Sequence, residues 1–598
     1  MSEPTNVSEL VGHALARLGA GRCFGVVGSG NFTVTNALRA AGVPFTATRH
    51  EGGAATMADA FARVSGTVAL VSVHQGCGLT NAATGIGEAA KSRTPVIVLA
   101  AEASGEAVGS NFAMDQPGFA RSVLADSHRV HSAESALADV VRAFRTARDE
   151  RRTVVLNLPL DVQAQPVPLQ ALRALEQLAP PPRPVPPRAD DAAVSALAEL
   201  ISTSKRPVIV AGRGAREAGH ELRALASASG ALLATSAVAK GLFNGDPFDL
   251  GISGGFSSPL TAELISGADL IIGFGCALNM WTMRHGRLIG ETAKVVQVDL
   301  EASALGAQRP INLGVLGDSA ATATAVLGRL SRFGGDPEPR YRTAEIAARI
   351  AAEARWVDVP LDPPDLGGPA NDRETVPGSE NPNPELRIDP RVLTRELDAL
   401  LPAERIVSVD SGNFMGYPSA YLDVPDEFGF CFTQAFQAIG LGLATAIGAA
   451  LARPDRLPVL GTGDGGVLMG IAELETAVRL RLPLVVVVYN DDAYGAEVHH
   501  FAPAPDDGVR AGDDPEPGAT EPSTAPAVPD LGAVTFPRAD IASIARGFGA
   551  TGVTVRDVSD LDAVRVWLEG DPDRPLVLDA RIASDGGAWW LAEAFRGH

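Results

Sequence analysis

Gly461-Thr-Gly-Asp-Gly-Gly466 ends an apolar run, Leu457-Pro-Val-Leu460, and opens a helical pattern from Val467 to Leu480. The stretch reads as a strand, a glycine turn and a helix N-terminus. Such a turn suits phosphate, because glycines let the backbone approach an anion and the free N–H groups of the first helical turn point at it. Asp464 can hold a hard divalent cation against the same phosphates. The next apolar run, Leu484-Val-Val-Val-Val-Tyr489, leads into Asn490-Asp-Asp-Ala493. There Asn490, Asp491 and the carbonyl of Ala493 can supply further oxygen ligands. Between Gly465 and Asn490 lie 24 residues, the length of one helix and one strand. A Gly-rich turn after a strand is common in dinucleotide-binding folds, so the second half of the pattern is what narrows the reading.

Outward from this motif, 598 residues exceed one hydrophobic core and predict two to four domains. A hydrophobic content of 46% with 20% charged residues is that of a globular protein, and the formal net charge of −21 argues against nucleic-acid or anionic-membrane partners. Cys23, Cys77, Cys276 and Cys431 are widely spaced and without CxxC pairing. They suit a reducing cytoplasm and exclude a cysteine-rich zinc site. The N-terminal residues show no basic segment leading into an apolar one, and no apolar run reaches membrane-spanning length, so a cytoplasmic location is expected.

Strand and helix patterns alternate along the chain. Short apolar runs at Cys23–Val27, Phe45–Thr48, Val68–Val73, Pro95–Ala100 and Val154–Leu158 are separated by helical periodicity, as in Val7–Leu18 and Ala54–Val64. The alternation resumes at Pro207–Val210, Ala231–Ala234, Asp269–Ile272 and Lys294–Val298, and again at Ile406–Val409, Leu457–Leu460, Leu484–Tyr489 and Leu576–Leu578. The expected fold class is α/β, with three doubly wound parallel-sheet domains at 1–175, 188–335 and 388–598. Pro-rich sequence from Pro166 to Pro187 reads as a linker, and residues 336–387 as a second one. Residues 503–531 lack periodicity and read as a flexible insertion, or as a lid beside the site.

Gly463-Asp464-Gly465, a spacer in the mid-twenties and Asn490-Asp491 resemble the thiamine diphosphate fingerprint, in which Asn-Asn usually closes the pattern. Asp491 here offers a carboxylate in place of an amide oxygen, which magnesium accepts equally. Over its whole length the chain resembles the acetolactate synthase, pyruvate decarboxylase and benzoylformate decarboxylase group of enzymes. That resemblance implies pyrimidine-binding, central and diphosphate-binding domains in that order, with thiamine diphosphate and Mg2+ as cofactors. It implies metal ligands Asp464, Asp491 and Ala493, with Gly463, Gly465, Gly466, Tyr494 and Gly495 beside the cofactor. It also implies a homodimer or dimer of dimers in which two subunits share each site. FAD or ADP in the central domain is left open, because Gly212-Arg-Gly214 lacks the full dinucleotide fingerprint.

The same resemblance supplies candidate chemistry. Arg49-His-Glu51 places a carboxylate before a helix, where an acid is also favoured simply by the helix dipole. In the family that glutamate hydrogen-bonds the aminopyrimidine ring of the cofactor and favours its reactive form. His74, in Val73-His-Gln-Gly-Cys-Gly78, and Ser29 look like the histidine and serine of the benzoylformate decarboxylase branch; a satisfied structural histidine is the alternative. Gln116, in Asn111-Phe-Ala-Met-Asp-Gln116, occupies the place of a cofactor-facing Gln, or lies on a plain surface loop. Gly412 and Asn413 suit diphosphate contact. Gln437 begins a segment in which Ile439 would wedge the cofactor into a bent form, unless it only packs a helix. Glu497 falls where pyruvate decarboxylases place a glutamate next to the substrate carboxylate, unless it is a solvated helix-end residue; His499 and His500 follow it.

The function expected is carbon–carbon bond cleavage or formation on 2-oxo acids, decarboxylase-like or acetolactate synthase-like, with an aldehyde or other small acceptor. A 2-hydroxyacyl-CoA lyase acting on an acyl-CoA is the alternative within the class, and a non-catalytic cofactor-binding protein the alternative outside it.

Overall fold

The computed structural model describes residues 3–331, 340–361, 386–501, 529–583 and 590. Residues 503–528 of the expected insertion and 362–385 of the second expected linker therefore lie outside the described residues. Among the described residues eighteen strands form three six-stranded sheets, every ladder of which is parallel.

The first sheet comprises β1 (Arg22–Gly25), β2 (Phe45–Ala47), β3 (Ala69–Val73), β4 (Val96–Glu102), β5 (Asp126–Arg129) and β6 (Thr153–Pro159), in the order β2-β1-β3-β4-β6-β5. The second comprises β7 (Pro207–Ala211), β8 (Leu232–Thr235), β9 (Asp249–Ile252), β10 (Leu270–Phe274), β11 (Lys294–Asp299) and β12 (Leu313–Leu316), in the order β12-β11-β10-β7-β8-β9. The third comprises β13 (Arg405–Val409), β14 (Phe430–Phe432), β15 (Leu457–Gly463), β16 (Val485–Asn490), β17 (Thr551–Val555) and β18 (Leu576–Arg581), in the order β14-β13-β15-β16-β18-β17. The first and third sheets thus share one topology. In each the strand order reverses between the first strand and the third, and such a switch point opens a crevice at the carboxyl ends of the strands.

The first and third sheets also share a core. The helix Gly442–Ala452 is buried along nearly its whole length and packs against Glu51–Ser65. A helix that is apolar all round has no solvent face to offer and is enclosed by others. Leu443 and Ile447 join Ala54, Ala58 and Val71 in one cluster, each full burial of such an aliphatic side chain contributing about 1.5–3 kcal/mol. A buried ionic group closes the junction: Arg63 binds Asp59 and Glu88 and donates to Phe432 O (2.9 Å), while the Glu88 carboxylate accepts Ala435 N (3.0 Å) and Phe436 N (2.6 Å). The central sheet is attached through Arg216, which donates to Arg63 O, and Lys240, which donates to Ser419 O.

Several expectations from local pattern are corrected. The stretch Pro166–Pro187 is not all linker, since Leu169–Gln177 is a helix that buries Ala171 and Leu175 against the first domain. The second linker contains the helix Ala344–Glu353. The helical pattern Val467–Leu480 is two helices, Asp464–Met469 and Ala472–Arg479, separated at Gly470–Ile471. β15 continues through Gly463, so the turn is tighter than expected and Asp464 is itself the first helical residue. Among the described residues no helix is long and apolar enough to cross a membrane.

Candidate active site

The candidate residues gather at two switch points. In the third sheet, β13 leads into Ser411-Gly412-Asn413 and its neighbour β15 into Asp464-Gly465-Gly466, with Asp491 and Ala493 arriving from the end of β16. In the first sheet, β1 leads toward Ser29 and its neighbour β3 into His74. Glu51 follows β2, beside β1.

At the third-sheet end, three carboxylates lie close together. Asp492 forms ion pairs with Arg581 Nη1 (2.8 Å) and Arg387 Nη2 (2.9 Å). Asp464 and Asp491 have no Lys or Arg partner among the described residues and face each other instead. Burial, followed by the charge of Asp492, pushes the Asp464 carboxyl up to about 6. Burial, followed by the charge of Asp464, holds Asp491 well above the ordinary carboxylate range. A buried acid facing a half-buried one without a counter-ion is destabilising unless a cation is added. A Cβ placed on Gly495 would lie 2.1 Å from Asp491 Oδ2 and 3.3 Å from Asn413 Cβ, so these residues converge; Asn413 Oδ1 is buried without a hydrogen-bond partner among the described residues. The loop is braced by the segment Val534–Phe536 through an isolated antiparallel bridge: Tyr494 N donates to Val534 O and Phe536 N to Asp492 O, the bonds on either side of Ala493. Among the described residues no three His, Cys, Asp or Glu side chains form a metal cluster, and this donor set is two carboxylates plus a carbonyl. Asn490, read from sequence as an oxygen donor, lines the same cleft as Asp464; its amide donates to Asp579 (2.7 Å) and its oxygen accepts Asp492 N (3.1 Å).

A cleft of about 320 Å³ opens beside Asp464 and Gly465, bordered by Met469, Asp492, Tyr494 and Phe536, all of the third domain. Gln437 is exposed with φ +57°, and Ile439 is 38% exposed. Ile439 lies in a bend rather than a helix, so the alternative of ordinary helix packing is not what the structure holds. The next residue, Gly440, donates its N–H to Asp410, which also accepts Ser411 N (2.8 Å) and Thr462 Oγ1 (3.2 Å). Asp410 ties the β13 loop to the Ile439 turn; burial pushes its carboxyl up to about 6. Sequence reasoning passed over Asp410 although it sits directly before Ser411-Gly-Asn413. Glu497 is half-buried on the helix Gly495–Phe501, the first element after the metal-side loop.

In the first domain, Ser29 Oγ lies 3.4 Å from His74 Nε2, whose Nδ1 is 3.2 Å from Gln75 O, and Phe112 meets the ring edge-on at 4.9 Å. Gly28 admits this ring, since a Cβ there would lie 2.4 Å from His74 Cδ2. Glu51 is buried at the start of its helix and accepts Asn81 Nδ2 at 3.0 Å, a partner that sequence reasoning did not single out. Gln116 is 1% exposed, which corrects the surface-loop alternative: its oxygen accepts Gly76 N and its amide donates to Asn157 Oδ1. Both its polar ends are thus used to hold the turn after His74. In the central sheet the switch point lies between β7 and β10, and the two loops bond each other, Gly212 N to Phe274 O and Gly214 N to Gly275 O.

Sequence models of protein families match the chain in three places. These are the thiamine pyrophosphate enzyme N-terminal TPP binding domain at residues 5–122, the central domain at 194–326 and the C-terminal TPP binding domain at 410–580. A sulfoacetaldehyde acetyltransferase of Rhodobacter capsulatus is 30% identical over 497 residues, covering 81% of each chain. A probable 2-ketoarginine decarboxylase of Pseudomonas aeruginosa is 31% identical over 509 residues, covering 81% of this chain and 82% of that one. The chloroplastic acetolactate synthase 2 of Nicotiana tabacum is 24% identical over 507 residues, covering 83% and 72%.

Proposed function

Because the chain belongs to the thiamine pyrophosphate enzyme family, we propose that it cleaves or forms a carbon–carbon bond beside the carbonyl of a 2-oxo acid, using thiamine diphosphate held by Mg2+. The observation that carries this reading is the facing pair of buried Asp464 and half-buried Asp491, with no cationic side chain beside them among the described residues, at the end of two adjacent strands. Thiamine diphosphate, when bound, supplies a nucleophilic carbon and an electron sink for the charge left as CO2 departs. Asp464, Asp491 and the Ala493 carbonyl would hold Mg2+, and the orphaned Asn413 oxygen lies close by. The N–H groups at Gly465 and Gly466 open a helix toward the diphosphate side. Gly412, Gln437, Gly463, Gly495 and Ile439 would border the cofactor, with Ile439 as the wedge, and Tyr494 lines the cleft.

Glu51 would hold the aminopyrimidine, with Asn81 fixing one of its oxygens and leaving the other for the ring. Ser29 and His74 form a polar pair at the first-domain switch point, suited to orienting a substrate carboxylate and moving a proton at its oxygen. Gln116 acts behind them as a support. Glu497 would face the substrate and exchange a proton with the forming or leaving oxygen. The cleft beside Asp464 is bordered only by the third domain. Exposed apolar side chains, Phe112 in the first domain and Met469 in the third, flank the two groups of site residues. Both features support a site completed by a second copy of the chain in a homodimer or dimer of dimers.

The names of the relatives are those of an acetyltransferase, a decarboxylase and a synthase, which supports this chemistry and leaves the acceptor to experiment. In the 2-hydroxyacyl-CoA lyase reading the loop after Phe501 would cover a long substrate, and residues 502–528 lie outside the described ones. We assign no FAD or ADP to the central domain. The test is a screen with thiamine diphosphate and Mg2+ over 2-oxo acids, with and without aldehyde acceptors, and over 2-hydroxyacyl-CoA thioesters. Release of CO2 from a 2-oxo acid, dependent on both cofactors, is the expected result. Turnover of thioesters alone would replace it by the lyase reading.

A further inference from the structure

Nine residues after Asp464, the side chain of Glu473 leaves its own domain. It is 3% exposed; its Oε1 accepts Arg49 N (3.1 Å) and His50 N (3.0 Å), and its Oε2 accepts Thr476 Oγ1 (2.7 Å). Arg49 and His50 immediately precede Glu51, which starts its helix. The same helix, Ala472–Arg479, grips the segment twice more, through Glu475 with Arg49 Nε (2.6 Å) and through Arg479 with Ala47 O (2.6 Å). Gly53 makes the approach of the carboxylate feasible: a Cβ there would lie 2.4 Å from Glu473 Oε1. Glycine inside a helix costs about 0.5–1 kcal/mol relative to alanine, and here the cost coincides with room for a buried acid from another domain. An acid at amides before a helix is also favoured by the helix dipole.

We propose that Glu473 is a positioning residue which fixes the place of Glu51, by clamping the two amides before it to the helix that follows the metal-binding turn. This rests on the reading of Glu51 as the group that faces the aminopyrimidine. A role in packing alone predicts only a loss of stability on substitution. A clamp predicts a defect at residues 49–51 and in the chemistry that Glu51 controls, and rescue by any side chain that keeps the acceptor.

Glu473→Gln retains an oxygen for both amides and can turn its NH2 toward Thr476 Oγ1, whereas Glu473→Ala removes the acceptor. Two exchange measurements read the outcome: deuterium uptake by backbone amides of residues 49–54 in the protein without added cofactor, and deuterium exchange at the thiazolium C2 of bound thiamine diphosphate after acid quench. In Glu473→Ala the amides of Arg49 and His50 should exchange at least about tenfold faster. The C2 proton should exchange about tenfold or more slowly, with the Kd for thiamine diphosphate within about threefold of the parent's. Glu473→Gln should match the parent in all three. Should Glu473→Ala not fold, Gly53→Ala displaces the same carboxylate from the other side and should reproduce the pattern. Parent-like amide exchange in Glu473→Ala, or a Gln variant as impaired as the Ala one, overturns the proposal. Glu51→Gln serves as the control: if C2 exchange stays at the parent rate there, the reading of Glu51 fails, and the amide measurement alone decides whether Glu473 is a clamp.

Discussion

Asn81 Nδ2 donates to Glu51 Oε2 at 3.0 Å, joining the end of the short helix Cys77–Asn81 to the start of the helix Glu51–Ser65. The bond engages one carboxylate oxygen and leaves the other, near Gly78, for a ligand. Asn81 is exposed, so its replacement should scarcely alter stability. Asn81→Ala is expected to lower kcat by about tenfold or more through loss of orientation of Glu51, with an unchanged melting temperature. Steady-state kinetics alongside thermal melts check this; a parent-like kcat would show that Glu51 needs no second partner.

Asp464→Asn separates stability from function. Removing the Asp464 carboxylate from the facing pair relieves the cost of its burial and its repulsion by Asp492, and a rise of two pKa units corresponds to about 3 kcal/mol at most. The protein without cofactor should therefore melt a few degrees higher at pH 7.5, while Mg2+-dependent binding of thiamine diphosphate disappears in calorimetry. Retained binding would mean that the metal lies elsewhere.

The same pair sets a pH dependence. The Asp464 carboxyl is raised in the folded protein to about 6, above its ordinary value of 3.8. The folded state therefore binds more protons than the unfolded one between these values, and this contribution to stability is present below about pH 4 and lost as pH rises through about 6. A bound cation needs the ionised form, so binding of Mg2+ with cofactor should strengthen over the same rise. The melting-temperature gain on adding both is expected to be small at pH 5 and large at pH 7, and the difference should vanish in Asp464→Asn.

Glu497→Gln tests the reaction type. If Glu497 exchanges a proton with the reacting oxygen, kcat should fall by about a hundredfold or more, with cofactor affinity nearly unchanged. Turnover of the best 2-oxo acid at the parent rate would make it a bystander and favour carboligation without an acid at that place.

A shared site predicts complementation. Glu51→Gln and Asp464→Asn should each be inactive, and after subunit exchange a random mixture should recover about a quarter of parent activity, because half the dimers are hybrids with one intact site of two. No recovery, with exchange demonstrated by mass, would place both residues of a site in one chain.

What the sequence by itself determined is whatever local chemistry encodes. The interior strands announce themselves as apolar runs because both their faces are buried, and Gly463-Asp464-Gly465 with Asn490-Asp491 is legible because a phosphate turn needs glycine and an acid at fixed places. The strands that the apolar pattern misses, β5, β9, β12, β14 and β17, all lie at sheet edges, where a strand has one neighbour and is short or partly solvated. Tertiary structure alone decided the rest. Glu473 holding the amides beside Glu51, Glu88 holding those beside Gln437, and Gln116 pinned between Gly76 and Asn157 join residues far apart in the chain. A buried carboxylate or amide must find donors wherever packing brings them, and no spacing along the sequence records which backbone amides those will be.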